Sequence, residues 1–253
     1  MNQRQRGHKT QGTYSIEDML GEGLSARHAL RSRDALSFTI AFETDTFPPH
    51  QIQVQEMICG EAGLRGMTMA GLNHLTMVEL QAGLAKIRQS PRDAGVLELI
   101  VRRPKTGARE LLQEGRLDLV EGLVGDNWST RGSFLTTDGL AHPDMQLNIM
   151  NSRVVALVAQ QLERWALAGD QLFVDLDLSA DNLPPGARLA LGSAVIEVTK
   201  QPHTGCAKFV ERFGLDAMKF VNSDEGKRLH LRGINARVVS PGVIRVGDIV
   251  GKT

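Results

Sequence analysis

The segment KQPHTGCAKFVERFG, residues 200–214, holds the residue types best suited to chemistry in this 253-residue chain. Cys206 is one of only two cysteines, and polar or cationic residues surround it: His203, Thr204, Lys208 and Arg212. Neighbouring cationic groups stabilise a thiolate, which is the form that attacks electrophiles, carries sulfane sulfur or binds a soft metal. The segment therefore predicts a reactive thiol, and the alternative is a buried cysteine that acts only as a small hydrophobic residue.

The residues after the cysteine repeat at helical spacing. Phe209 and Phe213 would share one face of a short helix that Gly214 can end. With Thr204 as the N-cap, Cys206 would lie in the first turn, where the helix dipole favours an anion. His203 is a candidate general base for the thiol. His203 and Cys206 also offer two metal ligands, but no further pair completes a zinc site.

Charge and hydropathy exclude several classes of protein. Lysine plus arginine and aspartate plus glutamate both number 29, so the chain has no net charge at pH 7. Nucleic-acid and membrane-surface binding depend on net positive charge, so we expect neither. No apolar run approaches the ~18 residues that span a bilayer. Two distant cysteines and a polar start without a secretory signal predict a cytoplasmic protein.

The first part of the chain differs from the rest. Residues 1–67 show no continuous hydrophobic face and predict a weakly structured N-terminal extension. Residues 68–253 predict one folded domain. Within it, Thr76 and Glu79 form a capping box for a helix, and residues 96–104 predict a strand. The pair Arg102-Arg103 is interpreted as a solvated end of that strand.

The second half of the domain is rich in β-structure. Apolar residues at helical spacing first predict a long helix over residues 145–169. Short β-branched runs separated by glycine or proline then follow, at residues 187–192, 194–200, 234–240, 243–247 and 248–251. This pattern is typical of a closed barrel or a sandwich. The composition of elements predicts a mainly β chain of the α+β class.

Several motifs together resemble the MOSC domain, named for the C-terminal part of molybdenum-cofactor sulfurases. The motifs are GLVGDNW at 122–128, HPDMQLNIMN at 142–151, DLDLSADNLPPGARLALGSAVIEVT at 175–199 and LRGINARVVSPGVIRVGDIV at 231–250. Cys206 stands in the position of the family's cysteine. The resemblance covers about Leu97 to Val250 and is to small, stand-alone bacterial members.

The resemblance implies a closed β-barrel with flanking helices that binds the molybdenum cofactor, a phosphorylated molybdopterin. It implies that Cys206 ligates molybdenum or carries sulfur. Soft thiolate suits molybdenum, and cationic donors suit a phosphate. Candidate cofactor-binding residues are His203, Thr204, Lys208, Arg212, Asn182, Arg232 and Arg237. Pyridoxal phosphate enters only by association with the sulfurases, since no lysine context in this chain supports it.

The resemblance implies sulfur transfer or reduction of N-hydroxylated compounds, with a separate electron-donor or sulfur-donor protein. There are two alternative hypotheses. One is a non-catalytic carrier of the cofactor with the same fold. The other is a cysteine-dependent redox protein or hydrolase without molybdenum.

Overall fold

The computed structural model describes residues 73–133 and 135–253. The predicted extension, residues 1–67, and the second cysteine, Cys59, lie outside the described residues. The boundary between residues 67 and 68 therefore stays a prediction.

Eleven strands form in the described residues. They are β1 (Gly95–Arg102), β2 (Glu110–Leu112), β3 (Glu114–Asp118), β4 (Gly122–Leu123), β5 (Leu147–Asn151), β6 (Leu172–Asp175), β7 (Arg188–Leu191), β8 (Ala194–Val198), β9 (Ile234–Ser240), β10 (Gly242–Arg245) and β11 (Ile249–Lys252).

Seven α-helices and two 3-10 helices accompany these strands in the same described ranges. The α-helices are α1 (Met77–Ala82), α2 (Leu84–Ile87), α3 (Trp128–Arg131), α4 (Ser152–Ala159), α5 (Ala207–Phe213), α6 (Leu215–Asn222) and α7 (Asp224–Arg228). The 3-10 helices are Pro143–Met145 and Leu162–Ala168. Within the part of the chain that the structure describes, no helix is both long and apolar enough to cross a membrane.

Seven strands close into a barrel. Their order is β1, β6, β5, β9, β8, β7 and β11, and β11 pairs back with β1. Neighbouring strands are antiparallel except β5 and β6, which are parallel. Strand β2 extends the sheet from the end of β1, and β10, β3 and β4 form a second, three-stranded sheet. The predicted closed β-barrel with flanking helices is confirmed.

Alternating strand residues build two cores. Ile149 and Leu172 belong to the core inside the barrel, whereas Met150 and Phe173 belong to a second core between the barrel and the helices. Successive side chains of a strand point to opposite faces, so a single strand contributes side chains to both cores. The helices α1, α4, α5 and α6 pack on the outside of the barrel and supply most of the rest of the second core.

Only residues 152–159 of the helix predicted over 145–169 are α-helical, since α4 ends at Ala159 and a separate 3-10 helix covers Leu162–Ala168. Residues 147–151 form strand β5, which is buried along its whole length. Strand β5 contributes to both cores, and its apolar residues Leu147 and Met150 are three positions apart, as they would be on one face of a helix. The helix begins only after Asn151, whose side-chain oxygen accepts hydrogen bonds from the backbone N–H groups of Arg153 and Val154.

The other predicted elements agree with the structure. Thr76 and Glu79 form the capping box at the start of α1. The strand predicted at 96–104 is β1, and the five β-rich runs of the second half correspond to β7 to β11. Phe209 and Phe213 are buried on one face of α5, which ends before Gly214. Short-range sequence signals thus located most of the elements.

Candidate functional site

Cys206 is exposed and lines a cavity of about 400 Å³. Five connecting segments line this cavity: those that follow β1, β4 and β8, and those that precede β6 and β9. Because β1 is antiparallel to β6, the end of β1 and the start of β6 are neighbours. Helix α5, which begins directly after Cys206, completes the wall. We call this space the Cys206 pocket.

The Cys206 pocket is strongly cationic. Seven of the described side chains that line it carry a positive charge: Arg103, Lys105, Arg109, Arg131, Lys208, Arg212 and Arg232. No aspartate or glutamate lines the cavity within the described residues. A concave surface of one charge sign attracts ligands of the opposite charge. The electrostatic potential of the pocket therefore favours an anion, although the whole chain carries no net charge.

Four consecutive backbone carbonyl groups position four of these arginines. The carbonyls belong to residues 166–169, at the end of the second 3-10 helix and just beyond it. Each accepts a hydrogen bond from a different guanidinium: Arg109 to Ala166 O (3.1 Å), Arg212 to Leu167 O (2.6 Å), Arg232 to Ala168 O (2.9 Å) and Arg103 to Gly169 O (2.7 Å). Carbonyls at the end of a helix lack partners within the helix, and this chain uses them to hold arginines.

Crowding of these cations has an electrostatic cost. Burial lowers the pKa of Arg109, and the positive charges of Arg212 and Arg103 lower it further. Burial and the charge of Arg103 likewise lower the pKa of Arg131. A bound anion would relieve this repulsion, because each opposite charge nearby favours the protonated guanidinium.

The buried carboxylate of Asp126 holds the Arg103 side chain in place. Its Nε lies 2.8 Å from Asp126 Oδ2, its Nη2 lies 2.8 Å from Oδ1, and both side chains are almost fully buried. Its Nη1 donates to the side-chain oxygen of Asn148 on β5. The interpretation of Arg102-Arg103 as a solvated strand end is therefore wrong for Arg103. Only Arg102 keeps a partly exposed ion pair, with Glu110.

A second buried ion pair lies beneath the loop that carries the thiol. Arg232 Nη1 donates to both oxygens of Asp170, at 2.9 and 2.8 Å. The guanidinium lies 5.1 Å above the ring of Phe209, and its Nε has no hydrogen-bond partner among the described residues. Burial raises the pKa of the Asp170 carboxyl, while the charge and hydrogen bonds of Arg232 act in the opposite direction.

His203 is neutral in this setting. Its side chain is only 11% exposed, and Nδ1 lies 3.5 Å from Asp170 Oδ1 without forming a hydrogen bond. Burial lowers the pKa of His203 well below its usual value, and the positive charges of Arg232 and Arg103 add to this effect. A neutral imidazole can donate one hydrogen bond and accept another, so His203 offers a polar edge to a ligand.

The depressed pKa of His203 predicts acid sensitivity. Below about pH 6.5 His203 is protonated in the unfolded chain but stays neutral in the folded chain. The free energy of unfolding therefore falls by up to about 1.4 kcal/mol per pH unit. The loss continues down to the folded-state pKa. In His203→Gln we expect a flatter dependence of unfolding free energy on pH between about 6.5 and 5, measured by urea denaturation.

Two hydrogen bonds fix the loop just before the thiol. Gly205 N–H donates to the side-chain oxygen of Asn222, whose amide donates back to the Gly205 carbonyl. Cys206 itself is the N-cap residue of α5, so the predicted N-cap at Thr204 is wrong. The chain stays extended through residue 206 because Asn222 occupies the backbone groups of Gly205. The exposure of Cys206 also excludes the alternative of a buried cysteine.

The structure brings six of the eight predicted site residues into one cavity. They are Cys206, His203, Thr204, Lys208, Arg212 and Arg232.

Two predicted residues lie elsewhere. The amide of Asn182 donates to the carbonyls of Arg92 and Asp177, so it fastens two segments of backbone. The exposed Arg237 on β9 forms an ion pair with Glu197 on β8, at 2.6 Å. Neither residue is among those that line the Cys206 pocket.

Sequence reasoning missed four cations and three amides of the lining: Arg103, Lys105, Arg109, Arg131, Asn127, Asn148 and Gln201. One signal for three of the cations was present. The run RRPKTGAR at residues 102–109 places four cations in eight positions directly after a strand. Asn148 and Arg131 carried no comparable signal, because their position depends on how distant segments meet.

Protein side chains alone do not form a metal site in the described residues. No group of three or more His, Cys, Asp or Glu side chains is placed to hold a metal ion there. Cys206 is the one thiol in the pocket lining that the structure describes. A metal held there would combine this thiolate with ligands that do not come from the described side chains.

Residues 136–251 match the family model of the MOSC domain. The chain is similar to the MOSC domain over this stretch, which is slightly less than half of its length. The match contains Cys206, helix α5 and the strands β5 to β11. The first motif that suggested the family, at residues 122–128, lies before its start.

Solved structures of similar proteins share little sequence with this chain. YuaD from Bacillus subtilis is 15% identical with a TM-score of 0.48, over 62% of this chain and 94% of that chain. YiiM from Escherichia coli is 19% identical with a TM-score of 0.42, over 62% and 69%. YiiM from Geobacillus stearothermophilus is 16% identical with a TM-score of 0.40, over 65% and 74%. No curated protein matches the chain.

Proposed function

We propose that the Cys206 pocket binds the molybdenum cofactor and that Cys206 ligates its molybdenum or carries its sulfur. The observation that supports this most is one cavity in which the described residues provide an exposed thiol, seven cations and no carboxylate. A phosphorylated pterin with a metal dithiolene needs both features. Anionic groups need cationic donors, and molybdenum accepts a soft thiolate.

The residues present fit this cofactor. Arg232 lies in the wall with a buried Nε that has no partner among the described residues, so a donor is available for a ligand atom. Asn148 and neutral His203 add polar groups that can meet the edge of a pterin. The pocket volume of about 400 Å³ is in the range of small-molecule sites.

The pocket residues would bind different parts of the cofactor. In this proposal, Arg109 and Arg212 hold the phosphate, since the carbonyls of residues 166 and 167 already orient their guanidinium groups. Arg103 and Arg232 carry their own carboxylate partners, so they contribute hydrogen bonds with less net charge. Asn222 keeps the loop in place so that the thiol faces the cavity.

The cofactor supplies the capacity to transfer sulfur or electrons when it is bound. With it, the protein would transfer sulfur or reduce N-hydroxylated compounds, and a separate donor protein would supply the sulfur or electrons. We place the protein in the cytoplasm, because an exposed thiol of this kind stays reduced there. A cofactor carrier without turnover would use the same pocket.

Replacement of Cys206 tests the proposal. The full chain is purified from a bacterial host that makes the cofactor, and its molybdenum and oxidised pterin are measured by elemental analysis and fluorescence. We expect wild-type protein and Cys59→Ala to hold both. Cys206→Ala should lose most of the molybdenum, because the one thiolate ligand of the pocket is gone.

Two results would contradict the proposal. One is the absence of pterin from the wild-type protein made in that host. The other is an unchanged molybdenum content in Cys206→Ala. Turnover of N-hydroxylated compounds by the loaded wild type, with a chemical reductant, then separates an enzyme from a carrier.

A further inference from the structure

A second cavity adjoins the Cys206 pocket. Its volume is about 540 Å³, and its wall includes Trp128, Leu135 and Met145 together with Arg131 and Lys208. Four of these five residues, all except Trp128, also line the Cys206 pocket. The two cavities therefore meet along a shared border. We call the second one the tryptophan cavity.

The tryptophan cavity differs from the Cys206 pocket in chemistry. Its wall contains the apolar or aromatic side chains of Trp128, Leu135 and Met145, and Leu135 is nearly half exposed. Its two permanent cations, Arg131 and Lys208, lie on the border shared with the Cys206 pocket. No carboxylate lines it within the described residues. The cavity thus combines an apolar wall with positive charge on the border that faces the thiol.

Neither border cation has a carboxylate partner. No ion pair involving Arg131 or Lys208 forms within residues 73–133 and 135–253. Burial and the charge of Arg103 lower the pKa of Arg131. A negative charge nearby would therefore stabilise its protonated guanidinium. Lys208 stands two positions after Cys206, and both residues line the Cys206 pocket.

We propose that the tryptophan cavity is a substrate site for an aromatic molecule with one anionic substituent, such as an arene carboxylate. The aromatic part packs against Trp128, Leu135 and Met145, and the anionic substituent meets Arg131 and Lys208. Apolar surface supplies affinity without direction, and a charge-assisted hydrogen bond fixes the orientation. The bound molecule then directs its anionic end toward the Cys206 pocket.

This inference rests on the proposed function only in calling the bound molecule a substrate. Binding itself is measured without the cofactor. The full chain is purified and its molybdenum and pterin contents are determined, so that occupancy of the Cys206 pocket is known for every sample. Success or failure of the binding test is therefore separate from that of the cofactor test.

The test uses 2-naphthoate and its neutral analogue 2-naphthylmethanol as probes. The chain has two tryptophans, and Trp165 packs near Phe173 in the core outside the barrel. In a Trp165→Phe background, the indole N–H signal in the NMR spectrum reports on Trp128 alone. We expect 2-naphthoate to shift this signal and to bind about tenfold more tightly than 2-naphthylmethanol, because a charged hydrogen bond is added.

Substitutions separate the charge from the apolar wall. Arg131→Met and Lys208→Met should each weaken 2-naphthoate binding about tenfold and leave the neutral probe unchanged. Leu135→Ser should weaken both probes. Arg245→Met removes an exposed cation of β10 that pairs with Glu114, so it should change neither affinity. Circular dichroism of each variant checks that the fold is kept.

Three results would overturn the inference: equal affinities for the two probes, no response of Trp128 in the Trp165→Phe protein, or unchanged naphthoate binding in Arg131→Met and Lys208→Met. If 2-naphthoate binds as expected while the protein never holds molybdenum, the cavity assignment stands and the proposed cofactor fails. If the reverse occurs, the cofactor assignment stands alone.

Discussion

Asp126→Ala is expected to lower the free energy of unfolding by about 3–5 kcal/mol, the usual cost of removing one partner from a buried ion pair. The carboxylate accepts two hydrogen bonds from the Arg103 guanidinium. It also accepts from the backbone N–H groups of Arg103 and Trp128. Without it, a guanidinium that is almost fully buried keeps its charge but loses its counter-ion. Urea denaturation at pH 7 measures the change.

The neighbouring arginine supplies a matched control. Arg102 pairs with Glu110 at 2.6 Å, but both side chains are more than a third exposed. Glu110→Ala should therefore cost no more than about 1 kcal/mol. A double variant, Arg103→Met with Asp126→Ala, should be less destabilised than the sum of the single variants, since no unpaired charge remains. Equal losses for Asp126→Ala and Glu110→Ala would contradict the assigned burial.

The sequence revealed the strands of the barrel more clearly than the walls of the pocket. Glycine and proline separate the β-branched runs of the second half, and the capping residues Thr76 and Glu79 mark a helix start. These signals lie within a few residues of each other. The closure of β11 onto β1 joins residues about 150 positions apart, and only the resemblance to a family predicted it.

The site was predictable where its residues are close in sequence. His203, Thr204, Cys206, Lys208 and Arg212 all lie within ten positions, and all line the pocket. A local cluster of polar and cationic residues around a rare cysteine was enough to find them. Their shared environment follows from one loop and one short helix.

The rest of the site depends on distant contacts. Arg103 follows β1, and Asp126, which fixes it, lies 23 positions further along the chain. An arginine after a strand has the same local pattern whether it is solvated or buried. The four carbonyls of residues 166–169 could not be predicted either. That segment resembled the end of a long helix, and every residue has a backbone carbonyl, so the sequence does not show which ones accept hydrogen bonds from arginines.

Gly233→Ala is expected to be as damaging as the loss of Asp126, for a steric reason. Gly233 has φ +109°, and an added Cβ would lie 2.2 Å from the carbonyl oxygen of Ile149 and 3.3 Å from His203 Nδ1. Ile149 belongs to β5, which pairs on both sides within the barrel, so its backbone is held in place. Clash and backbone strain together should cost about 3–5 kcal/mol.

Gly247 separates the two causes. Its φ is +96°, close to that of Gly233, but an added Cβ there has nothing within 4 Å. Gly247→Ala should therefore show the cost of the backbone conformation alone, about 1–2 kcal/mol. The additional loss in Gly233→Ala, measured by urea denaturation, is the cost of moving β5 away from the loop of His203. Because that loop leads directly to Cys206, the same variant should also impair molybdenum retention, whereas Gly247→Ala should not. Equal losses in the two variants would mean that the space between β5 and this loop is not tightly packed.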